Sequence, residues 1–94
     1  MNELDDLVKI FSETTAPDKM KNLITELLTD REQKDLSLRW DLLKDLYQGI
    51  PQREIAANHQ ISLCKITRGS KILKKEESYV RELLSKRYDD HIKL

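Results

Sequence analysis

The sequence predicts an all-α fold of about six helices, arranged as one helical domain over residues 1–94. Only two Gly and two Pro punctuate the chain, too few for a strand-and-turn architecture. Apolar residues recur at helical spacing along most of its length, in a composition that is 36% charged and 38% apolar. A domain this small buries a limited share of its surface, and the sequence offers neither a disulfide nor a metal-ligand cluster to compensate. Oligomerisation is the remaining common remedy, so a homodimer is expected.

Each helix has its own signal. Leu4, Leu7, Val8 and Phe11 mark an amphipathic helix over about 3–14. Thr14-Thr15-Ala16-Pro17 ends it, and Pro17 suits the first turn of a second helix with Met20, Leu23, Ile24 and Leu27 on one stripe. Thr29 and Glu32 have the spacing of a capping box, and Asp30 complements the dipole of the third helix. That helix, about 30–48, carries Leu36, Trp40, Leu43 and Tyr47 on one side and Leu38, Leu42 and Leu46 on another. So broad an apolar surface predicts a central position, with Trp40 in the core or a dimer interface. Gly49 and Pro51 stop it. Helices over about 52–58, 63–74 and 77–90 follow, the last presenting Val80, Leu83, Leu84 and Tyr88.

Composition narrows the function. Two distant histidines, one thiol and no Gly-rich phosphate loop give enzymology little to work with. Cys64 has no internal partner, no signal-peptide pattern opens the chain, and no apolar run approaches the roughly 18 residues of a membrane span. A cytoplasmic protein is expected. The net charge of zero hides a segregation: residues 1–48 carry seven Lys/Arg against eleven Asp/Glu, residues 49–75 six against one, and residues 76–94 four against five. A basic block of this kind points to nucleic acid.

The block coincides with a predicted helix-turn-helix over about 52–71. Ile55, Ile61 and Ile66 are spaced to meet inside the corner, Ala56 is small where the helices approach, and Ser62 can cap the second helix. Residues 55–75 contain no acid. The outward face of the second helix offers Leu63, Cys64, Lys65, Thr67, Arg68, Lys71 and Lys74, with Gln52 and Arg53 opening the first helix. Such a helix suits the major groove, with small and polar side chains toward base edges and lysines toward phosphates. Charge alone would equally allow a solvated helix beside a core. Gln60 occupies the turn position where glycine is usual.

The strings Gln52-Arg53-Glu54-Ile55 and Ile66-Thr67-Arg68-Gly69-Ser70, with Leu27-Leu28-Thr29-Asp30 and Arg39 ten residues after Thr29, resemble the tryptophan repressor family. The likeness runs from about Asn22 to Leu84. It implies an intertwined homodimer that binds double-stranded operator DNA and takes L-tryptophan as corepressor. By the same resemblance Arg39 and Arg68 sandwich the indole. Arg68 and the Thr29 hydroxyl hold the carboxylate, carbonyls around Glu26, Leu28 and Thr29 of the other subunit take the ammonium, and Gly69 lets the ligand approach. Arginine suits both ends of such a ligand, since its plane stacks on aromatic faces and its fork grips carboxylates.

The sequence departs from the family at Lys65 and Ile72, where small hydroxyl residues are usual, and at Lys71, where an amide is usual. The hinge before Gln52 is one residue shorter. Read without the resemblance, Arg39 and Arg68 are surface residues paired with acids such as Asp35 and Asp41. Cys64 is then a small residue facing DNA, His59 and His91 are solvated, and Tyr79 and Tyr88 pack the last helix. Two rival functions stand beside the repressor: a DNA-binding regulator of the same fold without a ligand, and a helical protein-interaction module.

Overall fold

Six helices and no strand make up the described residues, 3–89, of the computed structural model. They are α1 (Glu3–Glu13), α2 (Pro17–Leu27), α3 (Asp30–Tyr47), α4 (Gln52–His59), α5 (Leu63–Lys74) and α6 (Tyr79–Tyr88). None is long and apolar enough to cross a membrane. His91, expected to be solvated, lies outside the described residues. The chain divides into two compact units, Met1–Leu36 and Ser37–Leu94, with the boundary inside α3.

In the first unit, α1 and α2 are amphipathic but bury no residue. Pro17 stands in the first turn of α2, where its missing N–H costs nothing. The predicted capping box opens α3. The amide of Thr29 donates to Glu32 Oε1 at 2.9 Å, and the amide of Glu32 donates to Thr29 Oγ1 at 3.1 Å. Donation from the Thr29 amide, then from its hydroxyl, holds the Glu32 carboxyl below its usual range. The cap is therefore intact above the ordinary carboxylate range and weakens as pH falls through the lowered value. Gln33 Nε2 closes the α2–α3 corner by donating to the Leu28 carbonyl at 3.0 Å.

The second unit is built around Leu42, Ile55 and Ile66, with Leu38, Leu46, Ile50, Ala56 and Ile61 packed against them. This is the corner read from the three isoleucines, with α3 as its floor. Behind α3 the chain turns through Gly49, at φ +84°. The Gly49 amide donates to Leu46 and the Ile50 amide to Asp45, both at 3.1 Å, the paired bonds of a Schellman cap. α6 closes the unit through fully buried Leu84, and its Tyr88 stacks on Tyr47 with centroids 6.3 Å apart. The Tyr47 phenol donates to Asp89, which, with some burial, holds its pKa above the usual range.

Two expectations for α6 need correction. The helix begins at Tyr79, not 77, because Glu77 is left-handed (φ +59°) and buried Ser78 caps it, accepting from the Arg81 amide at 3.2 Å. Tyr79 is exposed and does not pack. It lies about 100° around the helix from Val80, which shares a stripe with Leu84 and Tyr88.

The turn between α4 and α5 is left-handed at Gln60 (φ 55°, ψ 49°), and the Ile61 amide reaches back to the Ala56 carbonyl at 3.1 Å. A non-glycine residue there costs about 1–2 kcal/mol. Burying Ile55 and Ile66 completely contributes about 1.5–3 kcal/mol each. Packing therefore imposes the turn that the side chain resists. Gln60→Gly should raise the unfolding free energy by about 0.5–1 kcal/mol, measured by chemical denaturation. An unchanged or lower midpoint would mean that the glutamine side chain supports the turn.

Candidate nucleic-acid interface

α4 and α5 pack on each other through Ile55 and Ile66, both fully buried, with half-buried Ala56 and Ile61 beside them. Because Ile66 faces inward, the residues around it on α5 face outward. Leu63, Cys64, Lys65, Thr67, Arg68, Lys71 and Lys74 are all exposed, as are Gln52 and Arg53 at the start of α4 and Ser62 in the turn. Every residue of the corner expected to face DNA is thus accessible on the surface.

The charges carried by α5 are of one sign. Among the described residues, none of Lys65, Arg68, Lys71, Lys74 and Lys75 is in an ion pair. No acid stands in the first turn of α5, so the positive end of its dipole is not neutralised from within the helix. Ser62 was expected to cap this helix. It holds the N-cap position with extended backbone (φ −74°, ψ 152°), but its hydroxyl accepts no bond. The site is open, so water can satisfy the first amides and a side-chain cap is not required. The Thr67 hydroxyl donates to the Leu63 carbonyl at 2.9 Å. Cys64 carries a free, exposed thiol.

The residues that the resemblance assigns to a ligand fall into two groups. Arg39 on α3 and Arg68 on α5 belong to the second unit, and both are exposed. Their helices meet at buried Gly69, where an added Cβ would lie 3.1 Å from Leu46 Cδ1 and 3.7 Å from Leu43 Cδ2. Arg39 is one helical turn before Leu43 and Arg68 is next to Gly69, so both arginines border this close approach. The missing side chain of Gly69 thus serves helix packing within the chain. Surface pairing of the arginines with Asp35 or Asp41 does not occur: Asp41 pairs with Lys44 at 3.1 Å, and neither arginine has an ion-pair partner among the described residues.

Glu26, Leu28 and Thr29 belong to the first unit, at the α2–α3 corner. The Thr29 hydroxyl accepts from the Glu32 amide at 3.1 Å and stands beside the Glu32 carboxyl. The Glu26 carbonyl, at the negative end of α2, accepts no hydrogen bond among the described residues.

Two supports of the interface were not read from the sequence. His59, expected to be solvated, is half-buried, and its Nε2 lies 3.0 Å from Asp45 Oδ2, tying the end of α4 to α3. Arg81 Nη1 donates to the carbonyls of Leu73 at 2.7 Å and Lys75 at 3.1 Å, closing the C-terminal end of α5 from α6. Neither pairing is at helical spacing, so only the folding of separate helices onto one another reveals them.

Comparison with known proteins agrees with this geometry. Residues 2–88 match the Trp repressor protein family. A Trp operon repressor homolog from Chlamydia trachomatis is 35% identical over 68 residues, covering 71% of this chain and 72% of the relative. A homolog of the same description from Xylella fastidiosa is 33% identical over 82 residues, covering 86% and 87%. One from Mannheimia succiniciproducens is 44% identical over 57 residues, covering 60% and 56%. No solved structure matches the chain at a significant level. The chain belongs to the Trp repressor protein family, a family of DNA-binding regulators and not of enzymes.

Proposed function

We propose that this chain is an L-tryptophan-activated, sequence-specific repressor of tryptophan-related genes, acting in the cytoplasm as an intertwined homodimer on double-stranded operator DNA. The observation that carries the reading is the exposed, acid-free face of α5, held outward on α4 by buried Ile55 and Ile66. In this reading α5 enters the major groove. Leu63, Cys64 and Thr67 lie near base edges, and Gln52, Arg53, Ser62, Lys65, Lys71 and Lys74 serve the backbone and groove walls. The two α5 helices of a dimer reach successive major grooves about one helical turn apart, a spacing carried over from the family's docking mode.

The dimer follows from what one chain leaves uncovered. Leu4, Val8 and Leu27 in the first unit are each more than half exposed, and α1 and α2 bury nothing. A second copy is the occupant that a symmetric assembly supplies. In the proposed ligand site Arg39 and Arg68 stack on the indole, and Arg68 with the Thr29 hydroxyl holds the carboxylate. The carbonyls around Glu26, Leu28 and Thr29 of the other subunit receive the ammonium, at the negative end of that subunit's α2. Gly69 keeps α5 low enough for the ligand to lie along it. Lys65 and Ile72, both exposed, favour as second reading a DNA-binding regulator without this ligand.

Three measurements test these assignments. The thermal midpoint should rise with protein concentration, as it does for an obligate dimer; a stably folded monomer at micromolar concentration in sedimentation would exclude the intertwined assembly. Lys71→Ala and Lys74→Ala should each weaken binding to all DNA sequences and flatten the salt dependence by about one unit. An untouched slope would place those lysines away from phosphates. L-tryptophan should tighten specific binding by a coupling of about 1–3 kcal/mol. Arg39→Ala should abolish most of the calorimetric heat of tryptophan binding and leave weak, non-specific DNA affinity nearly intact, and Arg39→Lys should not rescue it. No heat and no change in operator affinity at millimolar L-tryptophan would favour the ligand-independent reading.

A further inference from the structure

The exposed face of α5 is limited in the base edges it can read. Along Leu63–Lys74 there is no Asn, Gln, Asp or Glu. The helix therefore lacks the amide that pairs with adenine and the carboxylate that accepts from cytosine. Lysine and arginine remain for guanine, and apolar contact remains for the thymine C5-methyl group. In the first turn the apolar group is large and open: Leu63 is 50% exposed and begins the helix. Thr67, four residues on and on the same face, spends its hydroxyl proton on the Leu63 carbonyl at 2.9 Å. It has no proton left for a base acceptor and offers its methyl group beside the leucine.

We propose that Leu63 is a specificity-determining residue that reads a thymine C5-methyl group in the major groove, with the Thr67 methyl as its neighbour; this rests on the DNA-binding reading above. The surroundings of Leu63 select DNA over a protein partner. Lys65, Arg68, Lys71 and Lys74 are exposed on the same helix, and no acid occurs in residues 55–75. A second copy pressed on this face would bury those cations against its own, whereas a duplex brings phosphates to them and a methyl-lined groove floor to the leucine.

The test removes a single methyl group from the DNA and leaves the protein as it is. Preferred duplexes are first selected by the full chain from a random pool, with L-tryptophan present and absent, and each dT is then replaced by dU. At one or two positions per half-site the wild-type protein should bind dU about fourfold more weakly, the factor that burying one methyl group gives. Leu63→Ala, an exposed change that spares the buried core, should bind the dT and dU duplexes equally at one such position and retain the wild-type helical content. Uniform indifference of the wild type to dU, or a full dT/dU ratio in Leu63→Ala, overturns the inference while selective DNA binding stands. If Leu63→Ala instead weakens self-association, the leucine belongs to an interface between copies and the inference fails. A pool that yields no preferred sequence removes the DNA reading and this inference together.

Discussion

Everything presented to a partner by the second unit depends on the packing of Ile55 and Ile66 onto Leu42. These side chains set how α4 and α5 cross, and the crossing decides that Ile66 points in while the basic residues around it point out. The contact also outweighs its local opposition, since Gln60 is held in a backbone conformation that a side chain disfavours. Gly69 adds the second constraint. Without a Cβ, α5 approaches Leu43 and Leu46 of α3 closely, and Arg68 stands at the edge of that contact, on a helix seated against the helix of Arg39. A larger residue at this position would push against Leu46, 3.1 Å from where a Cβ would stand.

The same corner explains how a chain with no net charge can carry a basic face. The acids are concentrated in the first half, Glu54 is the one acid in residues 49–75, and three others are engaged elsewhere: Asp45 with His59, Asp41 with Lys44 and Asp89 with Tyr47. The cations of α5 have no such partners among the described residues. The ends of α5 are treated differently, with its C-terminal carbonyls closed by Arg81 and its N-terminal amides left without a side-chain cap. This asymmetry leaves the positive end of the helix open toward an anionic partner and anchors the other end to α6.

Local chemistry made the helices legible in the sequence. Thr29 and Glu32, Pro17 and Gly49 are cap signals whose action is confined to a few bonds, and each appears in the structure as read. The three isoleucines announced the corner because apolar residues at helical spacing have no other place to go. The start of α6 was misplaced by two residues because Glu77 and Ser78 stop and restart the chain through backbone geometry, and nothing in their identity forces that conformation. Ser62 stands where a cap belongs, yet an open helix end makes the capping bond optional.

The sequence by itself determined the helix count, the short α4–α5 pair and the segregation of charge onto one helix, because these follow from periodicity, caps and composition along a contiguous stretch. Only the tertiary structure decided that His59 is tied to Asp45, that Arg81 closes α5, that Tyr79 stays exposed and that Gly69 serves the approach of α5 to α3. Those are contacts between residues 6 to 26 positions apart, or the lack of one. No spacing rule along one helix encodes them, since they arise only when separate helices share a single core.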